Sequence, residues 1–86
     1  MNGLAAETRE LLTVIRQALD LPYGATRDDE ERRLDLRNDN TIRVLSAVEY
    51  LLDQPTANIA REIRVLRAGL AANPVTYATK DGEAGR

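Results

Sequence analysis

Asp28, Asp29, Glu30 and Glu31 stand in a row, with Glu7-x-x-Glu10 before them and Glu49 and Asp53 after. Carboxylates three or four residues apart share a helix face. Inward carboxylates from neighbouring helices hold Mg²⁺ in sites that hydrolyse nucleotide phosphates. Such spacing also arises by chance in a chain that is 30% charged. The run at 28–31 has a simpler use at a helix start, where the dipole favours negative charge, and Glu10 falls toward the outer edge of its helix. We therefore read these acids as solvated and expect no catalytic residue, metal or cofactor, so not an enzyme. The chain has no histidine and no cysteine, which removes the common zinc sites and the Ser-His and Cys-His nucleophile systems.

Arg61, Arg64 and Arg67 recur every three residues. They suggest a nucleic-acid contact, and Ile59-Ala60-Arg61-Glu62-Ile63 loosely suits the first helix of a helix-turn-helix. The expected turn glycine does not follow at the right place, and the net charge of -2 supplies no general attraction to phosphate. This basic face is the alternative reading: a small nucleic-acid-binding regulator.

These residues need elements to position them. Phe and Trp are absent, so the core is built of Leu, Ile, Val and Ala, which favours packed helices over sheets. Leu4, Thr8, Leu11, Leu12, Ile15, Ala18 and Leu19 recur at helical spacing and predict a helix over 4–21, stopped by Pro22 and Gly24. Thr26 with Asp29 predicts a capping box opening a second helix. That helix runs to Asp53-Gln54-Pro55, with a stripe of Leu34, Leu45, Val48 and Leu52 flanked by Ile42, Val44 and Leu51. Asn38 and Thr41 interrupt the stripe, and Asn38-Asp39-Asn40 is a run of poor helix formers. The stripe keeps one phase across them, which favours a continuous helix of about 27 residues over a break at Asn38. Ile59, Ile63, Leu66 and Leu70 predict a third helix over 57–72, capped by Thr56 and ended by Asn73-Pro74.

The expected fold is all-α: a three-helix bundle with a long central helix and a flexible C-terminal tail. Residues 1–78 form a single helical domain, with Val75, Thr76 and Tyr77 extended against it, and 79–86 a disordered tail. A central helix longer than its neighbours leaves apolar surface that a second copy covers, giving a symmetric dimer. Leu34, Asn38, Thr41, Leu45, Val48 and Leu52 are the dimer or core seam. A polar residue there fixes register and oligomer state, unless that turn simply protrudes into water. Leu36, Tyr50 and Val65 are surplus to the bundle and form the candidate surface for another protein.

The pattern Leu-Pro-x-x-Ala-Thr-x-Asp-Asp-Glu at 21–30, the long helix after it and Asn-Pro-Val-Thr-Tyr at 73–77 resemble small uncharacterised helical proteins of actinobacteria and of their phages and mobile elements. The resemblance implies an accessory role there and carries over no known activity and no functional residues. No apolar run reaches the roughly 20 residues of a membrane span, and Met-Asn-Gly-Leu does not open a signal peptide, so a cytoplasmic setting is expected. The functional expectation is a helical protein–protein interaction module, self-associating as a homodimer, binding another protein, or both.

Overall fold

The computed structural model describes residues 3–80, which form three helices: α1 (Ala6–Leu19), α2 (Arg27–Asp53) and α3 (Ile59–Ala72). Each packs on the other two. α2 runs unbroken for 27 residues through Asn38-Asp39-Asn40. Its start is the expected capping box: Thr26 Oγ1 accepts from the Asp29 N–H at 3.2 Å, and the Thr26 N–H donates to Asp29 Oδ2 at 3.2 Å. α3 begins two residues later than expected. Its cap is Asn58, whose Oδ1 accepts from the Arg61 N–H at 3.1 Å, rather than Thr56.

The core is small. Val14, Ala47, Ile63 and Leu66 are buried together, ringed by half-buried Leu11, Ile15, Val44, Ile59 and Leu70. The α3 stripe lies inward as its spacing predicts. Leu4, which precedes α1, and Leu12 are exposed, and Val14, outside the expected stripe, is fully buried along with Ala18.

The larger correction concerns α2. Its inner face is Asp29, Arg33, Leu36, Asn40, Val44, Ala47 and Leu51, all buried or half-buried. The stripe expected to face inward points out. Leu34 is 49% exposed, Leu45 53% and Leu52 79%. The cause is Asn40, which is 1% exposed. Its Nδ2 donates to the Ala18 carbonyl at 2.9 Å, and its Oδ1 accepts from Arg43 Nη1 at 2.7 Å. The last turn of a helix leaves carbonyls without partners, and Asn40 supplies one across the α1–α2 contact. The inner polar residue is therefore Asn40, not Asn38 or Thr41.

The C-terminal segment closes the end of the bundle where α1 meets α2. Ala25 N donates to Ala78 O at 2.9 Å and Lys80 N to Tyr23 O at 3.0 Å, around an antiparallel bridge of Gly24 and Thr79. Tyr77 is buried, and its hydroxyl donates to the Pro22 carbonyl at 2.6 Å. Burial raises its pKa. Asp29 Oδ1 accepts from Ala78 N, and Glu30 Oε1 from Gly24 N at 2.8 Å. Arg33 grips Glu30 through Nε and Nη2 and lies 4.7 Å from the Tyr23 ring centre. Gly24 permits this closeness: a Cβ there would come within 3 Å of the Asp29 and Glu30 backbone. Thr79 and Lys80, expected in the loose tail, are thus paired with the α1–α2 loop. The rest of that expected tail, 81–86, lies outside the described residues.

Asn40→Ala leaves the Ala18 carbonyl buried without a partner and should cost about 1–3 kcal/mol, read by urea denaturation. The acids at the α2 start make stability depend on pH. Hydrogen bonds from Arg33, then from Gly24 N–H, lower the Glu30 pKa from its ordinary 4.5 to about 2. The Thr26 hydroxyl lowers that of Asp29. A carboxyl whose folded pKa lies below its unfolded value stabilises fully above the unfolded value and loses that contribution as pH falls through the folded one. Stability should therefore fall between about pH 4.5 and 2, and Glu30→Gln should flatten part of that slope in a denaturation series against pH.

Candidate functional site

α2 is the element that positions the candidate surfaces, because it shows solvent on more than half of its circumference. At about 100° per residue, Leu34, Asn38, Thr41, Leu45, Val48 and Leu52 fall in one stripe centred roughly 120° from Asn40. Their spacing is four, three, four, three, four, the heptad alternation of a helix-pairing seam, with Asn38, Leu45 and Leu52 at a and Leu34, Thr41 and Val48 at d. All are exposed except Val48, which is half-buried. Leu34, Arg37, Asn38 and Thr41 line a shallow depression of about 200 Å³. Four residues at i, i+3, i+4 and i+7 make the hole that receives one side chain from a facing helix. The six seam residues are thus brought together, as a surface seam and not as core.

A second surface lies on the opposite flank of α2, against α3. It is a groove of about 490 Å³ with Ala47 and Leu66 in its floor and Ile42, Tyr50 and Val65 on its walls. Arg61 lies over the Tyr50 ring at 5.4 Å and pairs with buried Glu62 at 2.6 Å. At the other end, Gly69 leaves space for Arg43: a Cβ at 69 would meet Arg43 Cδ at 3.1 Å. Tyr50 and Val65 therefore share a surface, as their expected common role requires. Leu36 does not join them. It is half-buried on the inner face of α2, because α2 is rotated to bury Asn40. The contributors missed in the sequence are Ile42, read only as a flank of the seam, and Gly69. The signal for both was available only from the antiparallel pairing of α2 with α3.

Of the three candidate phosphate-binding arginines, Arg61 is held by Glu62 and Arg67 pairs with Glu10 across the α1–α3 contact at 2.6 Å. Arg64 is exposed. Buried Glu62 needs its cation, since an unpaired charge away from water is costly. Two of the three guanidiniums are therefore directed at this chain's own carboxylates. The acids first singled out are dispersed: Asp29 and Glu30 serve the α2 start and the C-terminal segment, Glu10 serves Arg67, and Glu7, Glu49 and Asp53 are exposed. Among the described residues, no three His, Cys, Asp or Glu converge on a point where a metal ion could sit. No helix among them is long and apolar enough to cross a membrane.

Comparison with known proteins finds no family model, no curated protein and no solved structure that matches the chain.

Proposed function

We propose that the protein is a helical self-association module: two copies pair through the outer face of α2. The observation that carries this reading is the exposed heptad seam from Leu34 to Leu52 on an unbroken helix. Packing within one chain gives no reason for that periodicity, because those side chains do not form its core. Their regular spacing has meaning for a facing helix.

The magnitudes allow it. Covering a half-exposed Leu or Ile contributes about 1 kcal/mol. Leu34, Leu45 and Leu52 supply three such side chains per protomer, so a pair gains on the order of 6 kcal/mol or more. Association costs about 4–15 kcal/mol in lost freedom. The two are of one order, which favours a reversible dimer that populates with concentration. A role as an accessory protein of a phage or mobile element, acting in the cytoplasm, fits the resemblance at 21–30 and 73–77. The basic face of α3 offers a weaker alternative, since Arg61 and Arg67 are already paired.

Light scattering after size exclusion, over a range of loading concentrations, tests the proposal. The wild type should rise from monomer mass toward dimer mass. Leu45→Asp should stay monomeric at every concentration while keeping its helicity and its low-concentration melting point, because Leu45 lies outside the core. Leu66→Ala is the contrast and should lose about 2–5 kcal/mol of monomer stability. A wild type that stays monomeric throughout would remove the proposal.

A further inference from the structure

Resting on that reading, we infer that the two α2 helices pair parallel and in register, and that Asn38 selects this arrangement. The seam admits two symmetric pairings that bury all six of its residues. In the antiparallel one, Leu34 faces Leu52 of the partner subunit, Asn38 faces Val48 of the partner subunit and Thr41 faces Leu45 of the partner subunit. Each polar residue then meets an aliphatic one, twice per dimer by symmetry, and the Asn38 amide is covered without a hydrogen-bonding partner. In the parallel pairing every residue meets its own copy. Leu34, Leu45, Val48 and Leu52 make four apolar layers, while Asn38 and Thr41 make two polar ones. Paired asparagine amides each have a donor and an acceptor to exchange, and an Asn at one a position is a general device for fixing register in parallel helix pairs.

The flanking charges point the same way. Antiparallel helices oppose e to e positions, which sets Asp35 against Glu49 of the partner subunit at both ends of the seam. Parallel helices oppose each g position to the e position five residues on in the other chain. Arg37 then meets Ile42 of the partner subunit, where its aliphatic stem can lie. Glu49 of the partner subunit falls beside the g position of Val44, which carries no charge and is packed on the core. The one like-charged combination, made twice by symmetry, is Glu30 with Asp35 of the partner subunit, and Glu30 is already bound by Arg33. Each pairing thus opposes two pairs of acids, and only in the parallel one does an arginine, Arg33, already bind one acid of each pair.

The chain has no cysteine, so single introduced cysteines report the orientation directly. The proteins to prepare are Leu34→Cys and Leu52→Cys, each checked for dimer mass in reductant and then oxidised, alone and mixed. Parallel pairing places each new thiol beside its own copy. Both variants alone should then convert to disulfide-linked dimers, and the mixture should give no disulfide between the two different variants. Antiparallel pairing separates identical positions by about 27 Å along the axis, far beyond the roughly 7 Å that a disulfide spans between Cα atoms. A disulfide formed only between the two different variants would overturn the inference and leave the dimer standing. A dimer mass with no crosslink in any combination would place the interface elsewhere and overturn both readings, as would a monomer mass for the wild type. Asn38→Val tests the cause: in that background the mixed disulfide should appear and grow at least several-fold over the wild-type seam. If it stays absent while self-linked products persist, the assignment of the choice to Asn38 fails.

Discussion

The amide of Asn40 sets the rotation of α2, and most of the structure depends on that rotation. One nitrogen holds the last turn of α1 and one oxygen holds Arg43, so both sides of the amide are used where there is no water to replace them. With Asn40 facing α1, Val44, Ala47 and Leu51 must face the core, since they lie on the same helical face. Leu34, Leu45 and Leu52 must then face outward. The apolar surface of α2 is thus exposed as a consequence of satisfying a polar group. Rotating α2 to bury the leucines would turn the Asn40 amide to water and leave the Ala18 carbonyl at the helix contact without its partner.

The C-terminal segment supports that arrangement in so short a chain. A domain of this size buries little apolar surface and has no disulfide to compensate. Tyr77 is the one buried aromatic ring among the described residues, filling the space between the α1–α2 loop and the start of α2. Asp29 has two tasks here. One oxygen closes the capping box and the other receives the Ala78 N–H. Glu30 likewise joins the Gly24 N–H to Arg33. Two acids of the run that looks like a metal site, Asp29 and Glu30, are thus engaged in joining helix start, loop and C-terminal segment.

The three helices, the capping box at Thr26 and the continuity of α2 were legible in the sequence because each rests on local signals. So was the inward stripe of α3. The face that α2 buries was not legible, because hydrophobic periodicity favours the Leu34–Leu52 stripe. The true inner face carries Asp29, Arg33 and Asn40. The partners of Asp29 and Asn40 include residues far away in the chain. A period says which residues share a face, and only the partners decide which face turns inward. The same limit misplaced Leu36. Tyr50 and Val65 came together as grouped, but the groove they line needed Ile42 and Gly69, which adjoin them only once α2 and α3 run antiparallel.

The two surfaces of α2 bear on one another through geometry. The seam and the α3 groove lie roughly 140° apart around the helix, so a helix laid on the seam leaves the groove open. A parallel pair would set its two grooves at one level about the two-fold axis, both α2–α3 surfaces facing away from the contact. It would also bring the two C-terminal closures to one end of the assembly. An antiparallel pair would put them at opposite ends. In such a pair the polar layers of the seam would do more than lower its stability: by choosing the direction of the second helix, they would determine whether the assembly has one distinguished end or none.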